Sequence, residues 1–161
     1  MIVVLIAAVS CAAYAQLQIS DMPTAQLSAH DIASALLPAD ANISISNATI
    51  TGHPQCAGLF SGGEELGLTS GVVLGTGRVK DAVGPNSASD TSTAFLTPGD
   101  PLFDYFLDAD EVADSRLVQH DILDKTYDAC MLEFQVHSDS TGVLSIDYVF
   151  GSDELNEFAR G

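Results

Sequence analysis

The chain has 161 residues, enough for one domain with a sizeable core, and its 47% hydrophobic content excludes disorder throughout. Twenty-two acids against five bases give a net charge of −17, which repels phosphate backbones and anionic lipid and so argues against nucleic acid as a partner. Such a balance suits an extracellular protein, a cation binder, or a surface that only has to stay soluble.

The first segment, "MIVVLIAAVSCAAYA", is an apolar run of signal-peptide length ending in Ala13-Tyr14-Ala15, a small-x-small cleavage pattern. It is too short to span a bilayer. Its departure from the pattern is an n-region without Lys or Arg. The reading is a signal peptide over 1–15, cleaved to leave Gln16 first in a secreted chain, with 16–161 as a single domain lacking a membrane span. A buried N-terminal strand and a lipoprotein signal at Cys11 are the competing readings. In an oxidising compartment Cys56 and Cys130 would form a disulfide closing a long loop; two buried thiols are the alternative. The histidines, His30, His53, His120 and His137, show no ligand spacing with one another, so no zinc site is read.

Residues 28–37 read as a short helix, with Ser28 and Asp31 as a capping pair, Ile32 and Leu36 on one face, and Pro38 as terminator. "NISISNATITG" reads as a strand ending at Gly52. It carries two N-glycosylation sequons, at Asn42 and Asn47, which matter in a secreted chain of eukaryotic source. With Ile43 and Ile45 inward, Asn42 points out, whereas Asn47 points in unless the strand ends or bulges there. Asn42 is therefore the better acceptor. "GLTSGVVLGTGRV" places a buried run, 72–74, among glycines that suit tight β turns and match no nucleotide-binding loop.

From Asp81 to about Asp124 the chain is polar, proline-bearing and rich in aspartate. That length asks for function or for helix, at 103–107 or 115–123. Two alternating segments follow: Cys130, Leu132, Phe134 and Val136 in one, Leu144, Ile146, Tyr148 and Phe150 in the other. The five residues between them end in Gly142, so the pair reads as a β-hairpin with one face in the core and Cys130 on that face.

Carboxylates dominate the candidate chemistry. Calcium takes six to eight oxygens, and a folded site could draw on Asp100, Asp104, Asp147, Asp153, Glu154 and Glu157. The spacing is not that of an EF-hand, and a solvated acidic surface is the plainer alternative. A carboxylate hydrolase could be drawn from Glu154 and Asp110, but nothing fixes their separation. Ser152 lacks the second glycine of a nucleophile elbow.

Several motifs then point to one family. Gly71–Gly77 follows "G-[IV]-[VIL]-L-[ST]-T-G" with Gly75 in place of serine. Gly99-Asp100-Pro101-Leu102 approximates "G-D-x-x-L" with one residue missing. "TYDACMLEF" and "YVFGSDELNEF" match two longer and more specific motifs, with Leu155 where an aromatic is usual. Over residues 24–161 the chain resembles the choice-of-anchor L domain of secreted and surface-anchored proteins. The resemblance implies a mainly β, sandwich-like fold with one short N-terminal helix and a long acidic connection, with α+β as the fallback. It implies an extracellular or cell-surface module, no reaction, and an extracellular protein or glycan partner that it does not name. It gives Gly151, Ser152, Asp153, Glu154 and Asn156 a structural or cation-binding role. Because the family continues past this acidic turn, the domain is expected to be incomplete at its C-terminus, leaving 144–150 as an open strand edge.

Overall fold

A computed structural model describes residues 16–38, 42–84, 93–101 and 126–151. In chain order the strands are β1 (Gln18–Asp21), β2 (Ile43–Thr51), β3 (Ala57–Ser61), β4 (Ser70–Leu74) and β5 (Met131–Ser138). They form two antiparallel sheets, one ordered β1-β3-β4 and the other pairing β2 with β5. Two short helices, α1 (Met22–Ala25) and α2 (Ala29–Ser34), join β1 to β2. The mainly β expectation holds, with α1 added to the one helix expected.

Helix α2 forms where its caps allow. The Ser28 hydroxyl accepts the Asp31 N–H at 3.2 Å, and the Asp31 carboxylate accepts the Ser28 N–H at 2.8 Å. This reciprocal box satisfies two backbone donors that a helix start leaves open. The helix ends at Ser34, short of Pro38, and two further turns carry the chain on through Leu36 and Leu37. Its buried residues, Ile32 and Ala33, pack chiefly on β2. Burying one isoleucine side chain contributes about 1.5–3 kcal/mol. Leu36, expected on the same face, is only half-buried.

The end of β1 is fixed by charge. Asp21 caps α1, accepting the Thr24 N–H at 3.0 Å, and is fully buried. Lys80, from the short 3-10 turn Val79–Val83, lies 3.3 Å from its carboxylate and donates to the Thr24 hydroxyl at 3.0 Å. Burial pushes the Asp21 carboxyl up, but the hydrogen bonds from Thr24 and the Lys80 ammonium outweigh it and hold its pKa below the ordinary value.

In the β2–β5 sheet Ile45 faces Val136 and Ile50 faces Leu132, so the apolar residues of both strands share the inner side. Between Ser46 and Thr49 the register shifts by one residue. Asn47 is the extra residue of this bulge, with φ 52° and an exposed side chain. The condition for turning Asn47 outward is therefore met.

Two expectations fail. The run at 72–74 is half-buried to exposed because its described neighbours cover β4 only in part. The hairpin is not formed: residues 141–150 carry no strand, and β5 takes β2 as its partner. Alternation decides which residues share a face; it does not choose the neighbouring strand. Leu144, Ile146, Tyr148 and Phe150 are accordingly exposed. The helices expected at 103–107 and 115–123 lie outside the described residues.

Cys56, closing the 3-10 turn Pro54–Cys56 before β3, is joined by a disulfide to Cys130, the residue before β5, with 5.9 Å between their Cα atoms. Gly52 makes the approach possible. A Cβ there would lie 2.5 Å from the Ala129 carbonyl and 3.0 Å from the Cys56 sulfur, and its φ of 134° disfavours any side chain. The bond closes a loop of sequence separation 74, for which chain entropy predicts a stabilisation of about 4 kcal/mol. The double variant Cys56→Ser, Cys130→Ser should lose stability of that order in denaturant unfolding. Unchanged stability would mean that the loop is already held without the bond.

Candidate functional site

The segment 126–130 leads from the acidic connection into β5, and Thr126, Tyr127 and Asp128 turn back onto residues 93–100. Asp128 is the centre. One carboxylate oxygen accepts the Phe95 N–H at 2.9 Å; the other accepts the Thr97 N–H at 2.7 Å and the Thr97 hydroxyl at 2.8 Å. The Asp128 N–H in turn donates to the Thr97 carbonyl at 2.9 Å. Leu96, between the two donors, is held at φ 58° with its side chain exposed. A non-glycine residue costs energy in that region, so the carboxylate is what over-determines it.

Other contacts fasten the same loop. The Phe95 ring stacks on His53 at 3.6 Å between centroids, and Pro98 bridges to Tyr127. Thr93 donates its hydroxyl to Asp81 at 2.6 Å. The Asp100 N–H donates to the Thr126 hydroxyl at 3.1 Å. Gly99 lies directly against Thr126, whose hydroxyl and carbonyl occupy the space a side chain would need. Three of the sequence motifs thus meet: Gly99-Asp100, Thr76-Gly77 and 126–130.

Two of them, Thr76-Gly77 and 126–130, share an open pocket of about 180 Å³, lined by Thr76, Gly77, Thr93, Ala94, Tyr127 and Asp128. Tyr127 is 62% exposed, while Asp128 is 8% exposed. Burial pushes the Asp128 carboxyl up, yet the bonds from Thr97 and the backbone of 95–97 outweigh it and leave its pKa below the ordinary value. A general base needs a free acceptor and a pKa near the working pH. The Asp128 carboxyl is instead held below the ordinary range by its hydrogen bonds, and its chemistry is that of a fastener.

Of the residues singled out in sequence, Cys56 and Cys130 are brought together, and Asn42 and Asn47 are both exposed. Asp100 sits in the loop just described; Asp147 and Gly151 are exposed. Asp104, Ser152, Asp153, Glu154, Asn156 and Glu157 lie outside the described residues, as does Asp110. Among the described residues no three His, Cys, Asp or Glu side chains cluster closely enough to hold a metal ion. Nor is any described helix long and apolar enough to cross a membrane. Asp21 and Asp128 were not picked out in sequence. An aspartate followed by Met-Pro signals the first as a cap; nothing short of the fold signals that the second is buried.

In comparison with known proteins, the family model described as "Choice-of-anchor L domain" matches residues 19–160. No curated protein and no solved structure gives a significant match.

Asp128 has φ 55°, a conformation asparagine tolerates, so Asp128→Asn tests the carboxylate without disturbing the backbone. The new amide N–H₂ would face a backbone donor, and the loss should be about 2–3 kcal/mol. The pH sign follows from the lowered pKa. Stability from Asp128 is fully present above the unfolded value, about pH 4, and is lost as pH falls through the folded value. Acid should therefore narrow the gap between wild type and variant in unfolding experiments. A gap that stays constant from neutral to strongly acid pH would contradict the assignment.

Proposed function

The chain belongs to the choice-of-anchor L family, and from that premise we propose that it is a non-enzymatic extracellular module that displays or attaches at a cell surface. The match over residues 19–160 carries the reading, since the family is one of surface modules. Two observations support it. Two of the described motif residues fasten a loop: both Asp128 oxygens accept hydrogen bonds, and Thr126 holds the Asp100 N–H. The net charge of −17 and a disulfide suit a compartment outside the reducing cytosol.

Calcium stabilisation belongs to the same proposal. Asp100, Asp104, Asp147, Asp153, Glu154 and Glu157 are the residues that would supply oxygens, and extracellular modules typically bind calcium at about 10⁻⁴–10⁻³ M. Binding to the folded chain alone raises its stability by about 1.4 kcal/mol at tenfold excess over Kd. For a domain of this size that is about 4 °C in Tm.

Thermal unfolding of residues 16–161 in EDTA and in millimolar calcium decides the point. The expected result is a rise of that size, abolished by Asp153→Asn with Glu154→Gln. A cooperative transition indifferent to calcium would return these acids to solvation. Turnover of a glycan or peptide that disappears in Glu154→Gln would overturn the non-enzymatic reading itself.

A further inference from the structure

The β2–β5 sheet has one polar face. On it Ser44, Ser46 and Thr49 stand opposite His137, Gln135 and Glu133. Ser46 Oγ and His137 Nε2 are hydrogen-bonded at 2.7 Å. Asn42 is exposed just before β2 begins. The bulge adds Asn47 to this outer side, where its Nδ2 donates to Gln135 Oε1 at 2.8 Å. Regular alternation would have turned Asn47 toward the side of Ile45, where a glycan could not be held. Both sequons thus have an exposed asparagine and an exposed hydroxyl residue, Ser44 or Thr49, on a face with no apolar stretch for another protein layer to cover.

We propose that Asn42 and Asn47 both carry N-linked glycans, so that two sugar chains occupy the outer face of the β2–β5 sheet. The inference rests on the extracellular reading and on a eukaryotic source, because transfer to such sequons occurs in the secretory pathway. The donor is a lipid-linked oligosaccharide diphosphate. The asparagine Nδ2 bonds to the anomeric carbon of the sugar, the lipid diphosphate leaves with the electron pair of the broken C–O bond, and the amide gives up one proton. One N–H remains on Asn47, which is enough to keep the bond to Gln135. Five residues of strand separate the two sites by about 15 Å, room for two sugar cores side by side.

The test is expression of the full chain in eukaryotic secretory cells, with glycan release in ¹⁸O-water to mark each occupied asparagine by mass. Label is expected at both positions. Asn42→Gln should remove one mobility step and Asn47→Gln the other. Thr49→Ala should match Asn47→Gln, which keeps the result readable if either variant folds poorly. Chain in the medium with no glycan, or with label at Asn42 alone, overturns the inference and leaves the extracellular reading standing. A chain retained unmodified in the cytosol counts against the extracellular reading. A parallel chain with a proven secretion signal in place of residues 1–15 then separates the two: label at both sites upholds the inference, and its absence defeats it.

Discussion

The covalent bond between Cys56 and Cys130 is the constraint on which the described fold turns. Cys56 ends the turn before β3, and Cys130 immediately precedes β5. The bond therefore ties the β1-β3-β4 sheet to the β2–β5 sheet at the start of one strand from each. It is feasible because Gly52, the residue after β2, leaves the space that Ala129 and Cys130 fill. With residue 130 placed, residues 126–128 have little freedom. They lie where Asp128 can reach the N–H groups of Phe95 and Thr97 and where Thr126 can meet Asp100. One bond at the sheet junction thus positions a strand on one side and a loop on the other.

This arrangement gives the family's motif residues a physical role that needs no reaction. A buried carboxylate with two backbone donors and a hydroxyl is a strong fastener, because hydrogen bonds to a charge exceed those between neutral groups. It is also a costly group to strand, since desolvation is repaid only while all partners are present. The strained backbone at Leu96 fits the same economy: a local cost tolerated because the Asp128 contacts on either side outweigh it.

Much of this was legible in the sequence, and the gaps have specific causes. The α2 capping box, the strand ending at Gly52 and the cysteine pair are local or compartment-linked signals, and they were readable. Helix α1 and strand β1 were missed because four-residue elements carry too little periodicity to register. The pairing of β5 with β2 was missed because strand choice is non-local, and the nearer alternating segment offered a simpler partner. The Asn47 bulge was legible as a condition and not as a fact: a sequon inside an alternating strand announces a conflict, and only the register shows how it is resolved. Asp128 was visible in the sequence only as one position of the "TYDACMLEF" motif. What sets it apart is its burial, a property of the fold around it.

Segment 126–130 and loop 93–100 form one fastened unit with the sheet junction. Native-state hydrogen exchange measured residue by residue tests it most directly. The Phe95, Thr97 and Asp128 amides should exchange slowly, at rates close to those of the central residues of β5, and all of them should accelerate together when the disulfide is reduced. Fast exchange at Phe95 and Thr97 beside a protected β5 would contradict it, because the Asp128 carboxylate would then not be holding the loop.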